Sequence, residues 1–199
     1  LEQQEGAKAF YPSIRRFEVL PEFSMESLRR KIQEIGVIEH IIWIAPTDVL
    51  EKESFTDAQT QGVLQVFRFI KVLLSLDYGL ERLFWTVITT QTHAVRSCDP
   101  INPVHASIHG LMGSVAKEYS QWKIRLLDMQ ENMRWPSKEI FGLPFNGLGN
   151  ALAYRDREWF TQELLPVKSL AEDSVRYQQG GVYVVIGGAG GIGVAWSQW

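Results

Sequence analysis

The sequence predicts an α/β fold built on a mostly parallel sheet, and three observations carry that prediction. Segments 37–45 (VIEHIIWIA) and 83–90 (LFWTVITT) are strand-length runs with apolar residues on both faces, the pattern of strands covered on both sides. Segments with helical spacing of apolar residues lie between such runs, so strands and helices alternate from Ser24 to Met129. Breakers such as Pro21, Gly36, Pro46 and Gly79 close successive elements. Right-handed crossovers then follow from backbone chirality.

Taken in order, 14–19 (IRRFEV) is a first strand, ended by Pro21. The turn 21–24 (PEFS) contains no glycine. Ser24 is placed as an N-cap, Met25, Leu28, Ile32 and Ile35 form one helical stripe, and Gly36 terminates the helix. This βα unit lacks the glycines that let a backbone approach a pyrophosphate, so no nucleotide is assigned to it. His40, inside the second strand, reads as a satisfied structural residue. Residues 57–78 read as one long helix with a narrow polar stripe of Gln61, Gln65, Arg68, Lys71 and Ser75. A helix so apolar elsewhere is expected to be covered on most sides. The strand 83–90 ends in a polar tail, Thr89 to His93, at the carboxyl end where α/β proteins place their sites; it reads as a hydrogen-bonded loop.

Asn102 and Pro103 mark the next helix start, and Val104, Ile108, Leu111, Met112, Val115, Ala116 and Tyr119 share one face. His105 and His109 stand four apart, but Ala106 occupies the place of the glutamate in an HExxH pattern and no third ligand is evident, so no metal is expected. The small residues Ala106, Gly110, Gly113 and Ser114 instead predict close approach to a neighbour. Segment 122–129 (WKIRLLDM) is a further strand, 135–150 a loop rich in Pro and Gly, and 151–155 with 158–165 a hairpin turning at Asp156-Arg157. A polar linker, 168–179, leads into the last segment.

That segment, 180–199 (GGVYVVIGGAGGIGVAWSQW), is the most informative. Five apolar residues, 182–186, read as a buried parallel strand. Gly187-Gly188-Ala189-Gly190-Gly191-Ile192-Gly193 follow, and then the first turn of a helix. A phosphate-binding turn must be tight, must let the backbone approach a pyrophosphate and must aim a helix N-terminus at its charge. Glycine tolerates all three demands. The residue that reads the ribose is expected about 20 positions further on, beyond Trp199.

Composition narrows the remaining classes. With 199 residues, 45% hydrophobic and 22% charged, the chain is globular material for one domain plus the start of another. A net charge of −3 argues against a nucleic-acid partner. No run of about 18 apolar residues is present, so no membrane partner is expected, and the N-terminus lacks a secretory pattern. A single cysteine, Cys98, fits a reducing compartment and a cytoplasmic location; beside Asp99-Pro100 and without a basic activator it is read as a bland loop thiol.

The closing segment resembles the opening of the catalytic subdomain in ketoreductase domains of modular polyketide synthases. The segment NPVHASIHGLMGSVAKEYSQWKIRLLDM is similar to the late helix and strand of their structural subdomain, and ALAYRDREWFTQELLPV resembles the strand pair that closes it. HASIHGLMGSVAKEY and IGGAGGIG with Trp196-Ser197 look most like bacterial assembly lines of the trans-acyltransferase type. The likeness covers nearly the whole chain. It implies a truncated Rossmann-like, short-chain-dehydrogenase-like fold with a closing hairpin. Residues 1–179 would be the non-catalytic structural subdomain and 180–199 the start of the NADPH-binding catalytic subdomain.

The implied reaction is reduction of a β-ketoacyl chain, held by phosphopantetheine on an acyl carrier protein, to β-hydroxyacyl with NADPH. Implied partners are the catalytic subdomain of the same polypeptide, the acyl carrier protein and neighbouring synthase domains. Gly187, Gly191 and Gly193 match the family's spaced glycines, within the cofactor-binding stretch Gly187, Gly188, Ala189, Gly190, Gly191, Ile192 and Gly193. Ile186 stands where many relatives have Thr, and Arg157 stands where relatives often have Gly, which suggests a different hairpin turn. The family's catalytic serine, tyrosine and lysine or asparagine are expected beyond residue 199, so no catalytic residue is assigned and these residues alone are expected to be inactive. Tyr119 is read as packing. Two other readings stay open: a non-catalytic docking module of a multidomain synthase, and a small nucleotide-binding protein.

Overall fold

The computed structural model describes residues 24–46, 55–166 and 178–198, so the expected strand at 14–19 and most of the linker lie outside the described residues. The chain divides after Gln162 into two compact units.

The described residues of the first unit form a five-stranded sheet. Its strands are β1 (His40–Ile44), β2 (Leu83–Thr90), β3 (Trp122–Met129), β4 (Ala151–Arg155) and β5 (Glu158–Thr161), adjacent in that order. The first four run parallel, and β5 turns back antiparallel on β4. This is the α/β, mostly parallel architecture that the apolar runs predict. Among the described residues four α-helices precede β3: α1 (Met25–Ile35), α2 (Phe55–Gln61), α3 (Val63–Ser75) and α4 (Ala106–Glu118).

Local rules set several boundaries. Ser24 caps α1, its Oγ accepting from the Ser27 amide at 3.1 Å. Gly36 ends it at φ 85°, a conformation that costs residues with a Cβ dearly. Asn102 accepts from the Val104 amide at 3.2 Å, which opens a 3₁₀ turn over Pro103–His105 before α4.

Alternation along β2 and β3 divides the core. Trp85, Val87, Trp122, Ile124 and Leu126 face α1, α3 and α4 in the larger cluster. Ile88, Leu127 and Met129 point the other way and pack with Ile140, Tyr154, Trp135 and Phe141. The second face is covered by a short helix, α5 (Ser137–Gly142), in the stretch expected to be only loop. Pro136 sits at its N-cap, and Ile140, 3% exposed, is its anchor in the core.

Three further expectations are corrected. The single helix over 57–78 is two helices, ending at Ser75 and broken at Gly62, whose φ of −95° and ψ of −106° leave the helical region; a Cβ there would stand 2.6 Å from His105 Nδ1, which leaves room for glycine. The outer side of α3 is also barer than its composition suggests, with Leu64 and Phe67 exposed, while Gln65 of the supposed polar stripe is buried. The second hairpin strand stops at Thr161 rather than reaching residue 165. At the hairpin turn Asp156 and Arg157 have φ of 50° and 68°, both positive as a type I′ turn requires.

The close approach expected of α4 is met at Gly113, where a Cβ would lie 3.1 Å from the Gly149 carbonyl; the neighbour is the loop before β4. His40 bonds Thr86 Oγ1 at 3.0 Å, and Tyr119 stacks on Trp122 with centroids 5.1 Å apart, both structural roles as read.

The second unit is described over 163–166 and 178–198. Its one helix among the described residues is α6 (Gly191–Gln198). Segment 182–186 is not a strand here: Val182 and Ile186 are 95% and 98% exposed and no ladder includes them. A strand needs a partner for its backbone groups, and the described residues of this unit supply none. Among the described residues no helix is long and apolar enough to cross a membrane.

Candidate functional site

All seven residues of the expected cofactor stretch lie together at the start of α6. Gly187 adopts φ 83°, and the Gly190 amide donates to the Gly187 carbonyl at 3.0 Å, closing a tight turn. The chain then enters the helix, where the Val194 amide donates to Gly190 O at 2.8 Å. Gly193 packs against the turn so closely that a Cβ would meet Gly187 O at 2.2 Å and Gly188 Cα at 2.6 Å. At Gly191 a Cβ would meet nothing within 4 Å, so the space outside the first helical residue is open. The amides of Gly191, Ile192 and Gly193 belong to the first turn, where a helix provides no acceptor of its own.

These are the three demands of a phosphate cradle: a turn only glycine makes easily, a glycine sealed against it, and open space before amides that carry the positive end of the helix dipole. The residues fit the pyrophosphate of a dinucleotide. The side chain of Ile186 is exposed and donates nothing to the turn.

The carboxyl ends of β2, β3 and β4 are different in character. Asp128, 0% exposed at the end of β3, accepts through Oδ1 from Thr89 Oγ1, Thr92 N and Thr92 Oγ1, each at 2.8 Å. Its Oδ2 accepts from the His93 amide at 3.1 Å and from Arg155 Nη2. Arg155 of β4, 2% exposed, also donates to the carbonyls of Asp128 and Tyr154 at 2.9 Å and of His93 at 2.8 Å. His109 of α4 meets Thr89 Oγ1 through Nε2 at 2.6 Å.

Burial pushes the Asp128 carboxyl up, but the Thr92 amide, the Arg155 guanidinium and the two threonine hydroxyls together hold it below the ordinary carboxylate range. Burial, reinforced by His93, pushes the His109 imidazole down to about 4 against the pull of Asp128. Most polar atoms of this network are engaged with one another, whereas His93 Nε2, His109 Nδ1 and Arg155 Nε are buried without a hydrogen-bond partner. The polar tail of β2 is a hydrogen-bonded loop, as its sequence suggests.

Sequence reasoning did not find Asp128 and Arg155 as a pair. Their signal was a charge near the carboxyl end of each strand, Asp128 after the apolar pair Leu126-Leu127 and Arg155 as the last residue of β4. His109 was weighed with His105 as a metal pair, whereas its ring is bonded to Thr89.

No protein-family model matches the chain. Curated relatives do. The polyketide synthase PksM of Bacillus subtilis (strain 168) is 43% identical over 192 residues, 96% of this chain and 4% of the relative. Polyketide synthase PksN of the same organism is 39% identical over 192 residues, 95% of this chain and 4% of the relative. The chain thus spans about one twenty-fifth of the length of the curated relatives it matches. Among solved structures, a multidomain adenylation, ketoreductase and pseudo-Asub structure of a keto acid-selecting NRPS module superimposes with a TM-score of 0.64 at 21% identity, over all of this chain and 19% of that one. That likeness establishes a Rossmann-like α/β fold. Over nearly its whole length, the chain is homologous to a short segment of bacterial polyketide synthases.

Proposed function

We propose that this chain is the structural part of a polyketide synthase ketoreductase, of the trans-acyltransferase type, joined to the first turn of its NADPH site. In the complete domain a β-ketoacyl group on an acyl carrier protein is reduced to β-hydroxyacyl. The boundary between the two parts falls near residue 180. The observation that carries the reading is the contrast between two sites. At the ends of β2–β4 the Asp128 carboxylate and the Arg155 guanidinium are bonded chiefly to the fold itself, while in the turn over Gly187–Gly193 the first helical residue, Gly191, borders open space. Similarity to polyketide synthases supports the assembly-line setting.

When bound, NADPH supplies the hydride. In this chain Gly187, Gly191 and Gly193 admit its pyrophosphate to the backbone, and the N-terminus of α6 offers it partial positive charge. Gly188, Ala189, Gly190 and Ile192 complete the turn. In this reading the five-stranded unit supplies no acid, base or nucleophile to the reaction. The groups that protonate the carbonyl oxygen belong to the catalytic subdomain.

The test compares residues 1–199 with a polypeptide extending about 250 residues further, the size of one more domain. NADPH binding and reduction of a short β-ketoacyl thioester are measured for both. Binding and turnover by the longer protein, abolished by Gly193→Val, support the proposal. A longer protein that neither binds nor reduces overturns it. Tight NADPH binding by residues 1–199 alone favours the nucleotide-binding reading instead.

A further inference from the structure

Residues 91–101 leave β2 and cross the carboxyl ends of β3 and β4, and their anchors converge on few groups. Gln91 N donates to Met129 O at 3.0 Å. Thr92 and His93 are held through their amides by the Asp128 carboxylate, and His93 O by Arg155 Nη2. Further along, Asp99 accepts from its own neighbours Val95 N and Arg96 N at 2.9 Å and lies 3.9 Å from Arg155 Nε. Arg96 and Asp156 add an exposed ion pair. The rest of the segment, including Ser97, Cys98, Pro100 and Ile101, is exposed.

His109 packs against this anchor point from α4, its ring edge-to-face with His93 at 4.6 Å and 89°. Counting protons fixes its tautomer. The Thr89 hydroxyl has one proton and gives it to Asp128 Oδ1. The 2.6 Å contact to His109 therefore requires Nε2–H to donate to Thr89 Oγ1. Neutral His109 then carries a bare Nδ1, which is buried without a hydrogen-bond partner. A proton added there creates a buried, charged donor with no acceptor, a costly arrangement.

We propose that residues 91–101 form an acid-released strap, in which protonation of His109 frees the segment from the ends of β2–β4 while the sheet stays intact. The charged and titratable groups around the ring are Asp128 from β3, His93 from the strap and, one contact further out, Arg155 from β4 and Asp99 from the strap. Asp128 alone among the nearer ones favours the imidazolium, and it is already engaged by Arg155 and four other donors.

Burial holds the closed ring near 4, whereas a hydrated ring returns to about 6.5. Between these values the open form binds more protons, so opening gains as pH falls. From pH 7 to pH 5 the opening constant rises roughly 20-fold. Opening uncovers Asp128, Thr89 and Arg155, each at most 2% exposed when closed.

Amide hydrogen exchange on the full chain at pH 7 and pH 5, corrected for intrinsic rates, tests the proposal. Thr92 and His93 are expected to lose roughly 20-fold in protection, while Trp85, Val87 and Leu126 in the strands keep theirs. His109→Gln, whose amide N–H can still donate to Thr89 but takes no proton, is expected to abolish the difference. Unchanged protection at Thr92 and His93, equal loss in the strands, or the same loss in the variant overturns the strap. If His109→Gln does not fold, ring titration of His109 in the native chain decides: amide loss that does not follow it refutes the proposal.

Discussion

Replacing Arg155 by Met tests whether one ion pair closes the carboxyl end of the sheet. The guanidinium is 2% exposed and binds the Asp128 carboxylate together with three backbone carbonyls. Met keeps most of the volume, so the loss is electrostatic rather than a cavity. Removing one member of a buried pair leaves the other charged and under-solvated, which costs about 3–5 kcal/mol. Asp128 keeps its amide and hydroxyl donors, which places the expected loss toward the lower end of that range. Urea unfolding followed by tryptophan fluorescence measures it. In the Asp128→Asn, Arg155→Met double variant no charge is stranded, so the combined cost should fall short of the sum by at least about 1 kcal/mol, within the usual range for residues in contact. Additive costs, or an Arg155→Met loss below about 0.5 kcal/mol, the scale of an ordinary surface substitution, would refute the reasoning.

Arg157→Gly should raise stability by up to about 1 kcal/mol in thermal unfolding, since φ 68° is unstrained for glycine. Gly149→Ala should cost about 2–4 kcal/mol by the same measurement, because φ is 72° and the added Cβ would stand 2.5 Å from Gly113 Cα. Ser24→Ala removes the α1 cap and should cost about 1 kcal/mol in urea unfolding, with Ser24→Gly milder.

What the sequence determined by itself is what short-range rules govern. Ser24, Gly36 and Asn102 mark element ends because capping needs only the next few residues. The strand 83–90 is legible because residues apolar on both faces suit a covered parallel sheet, and 122–129 because its pattern alternates and then becomes apolar. The glycine turn is legible for the same reason: Gly187 and Gly193 meet six positions apart. Tertiary structure decided what depends on distant partners. Gly62, where the helix is broken, lies so close to His105 from another part of the chain that a Cβ would stand 2.6 Å from its Nδ1. Segment 135–150 carries a helix because Ile140 finds the bare second face of the sheet. Segment 182–186, with the composition of a strand, is not one, since a strand exists only with a partner to bond. Asp128 and Arg155 stand 27 positions apart in the sequence. Only the adjacency of β3 and β4, with both charges withdrawn from water, makes them one buried pair.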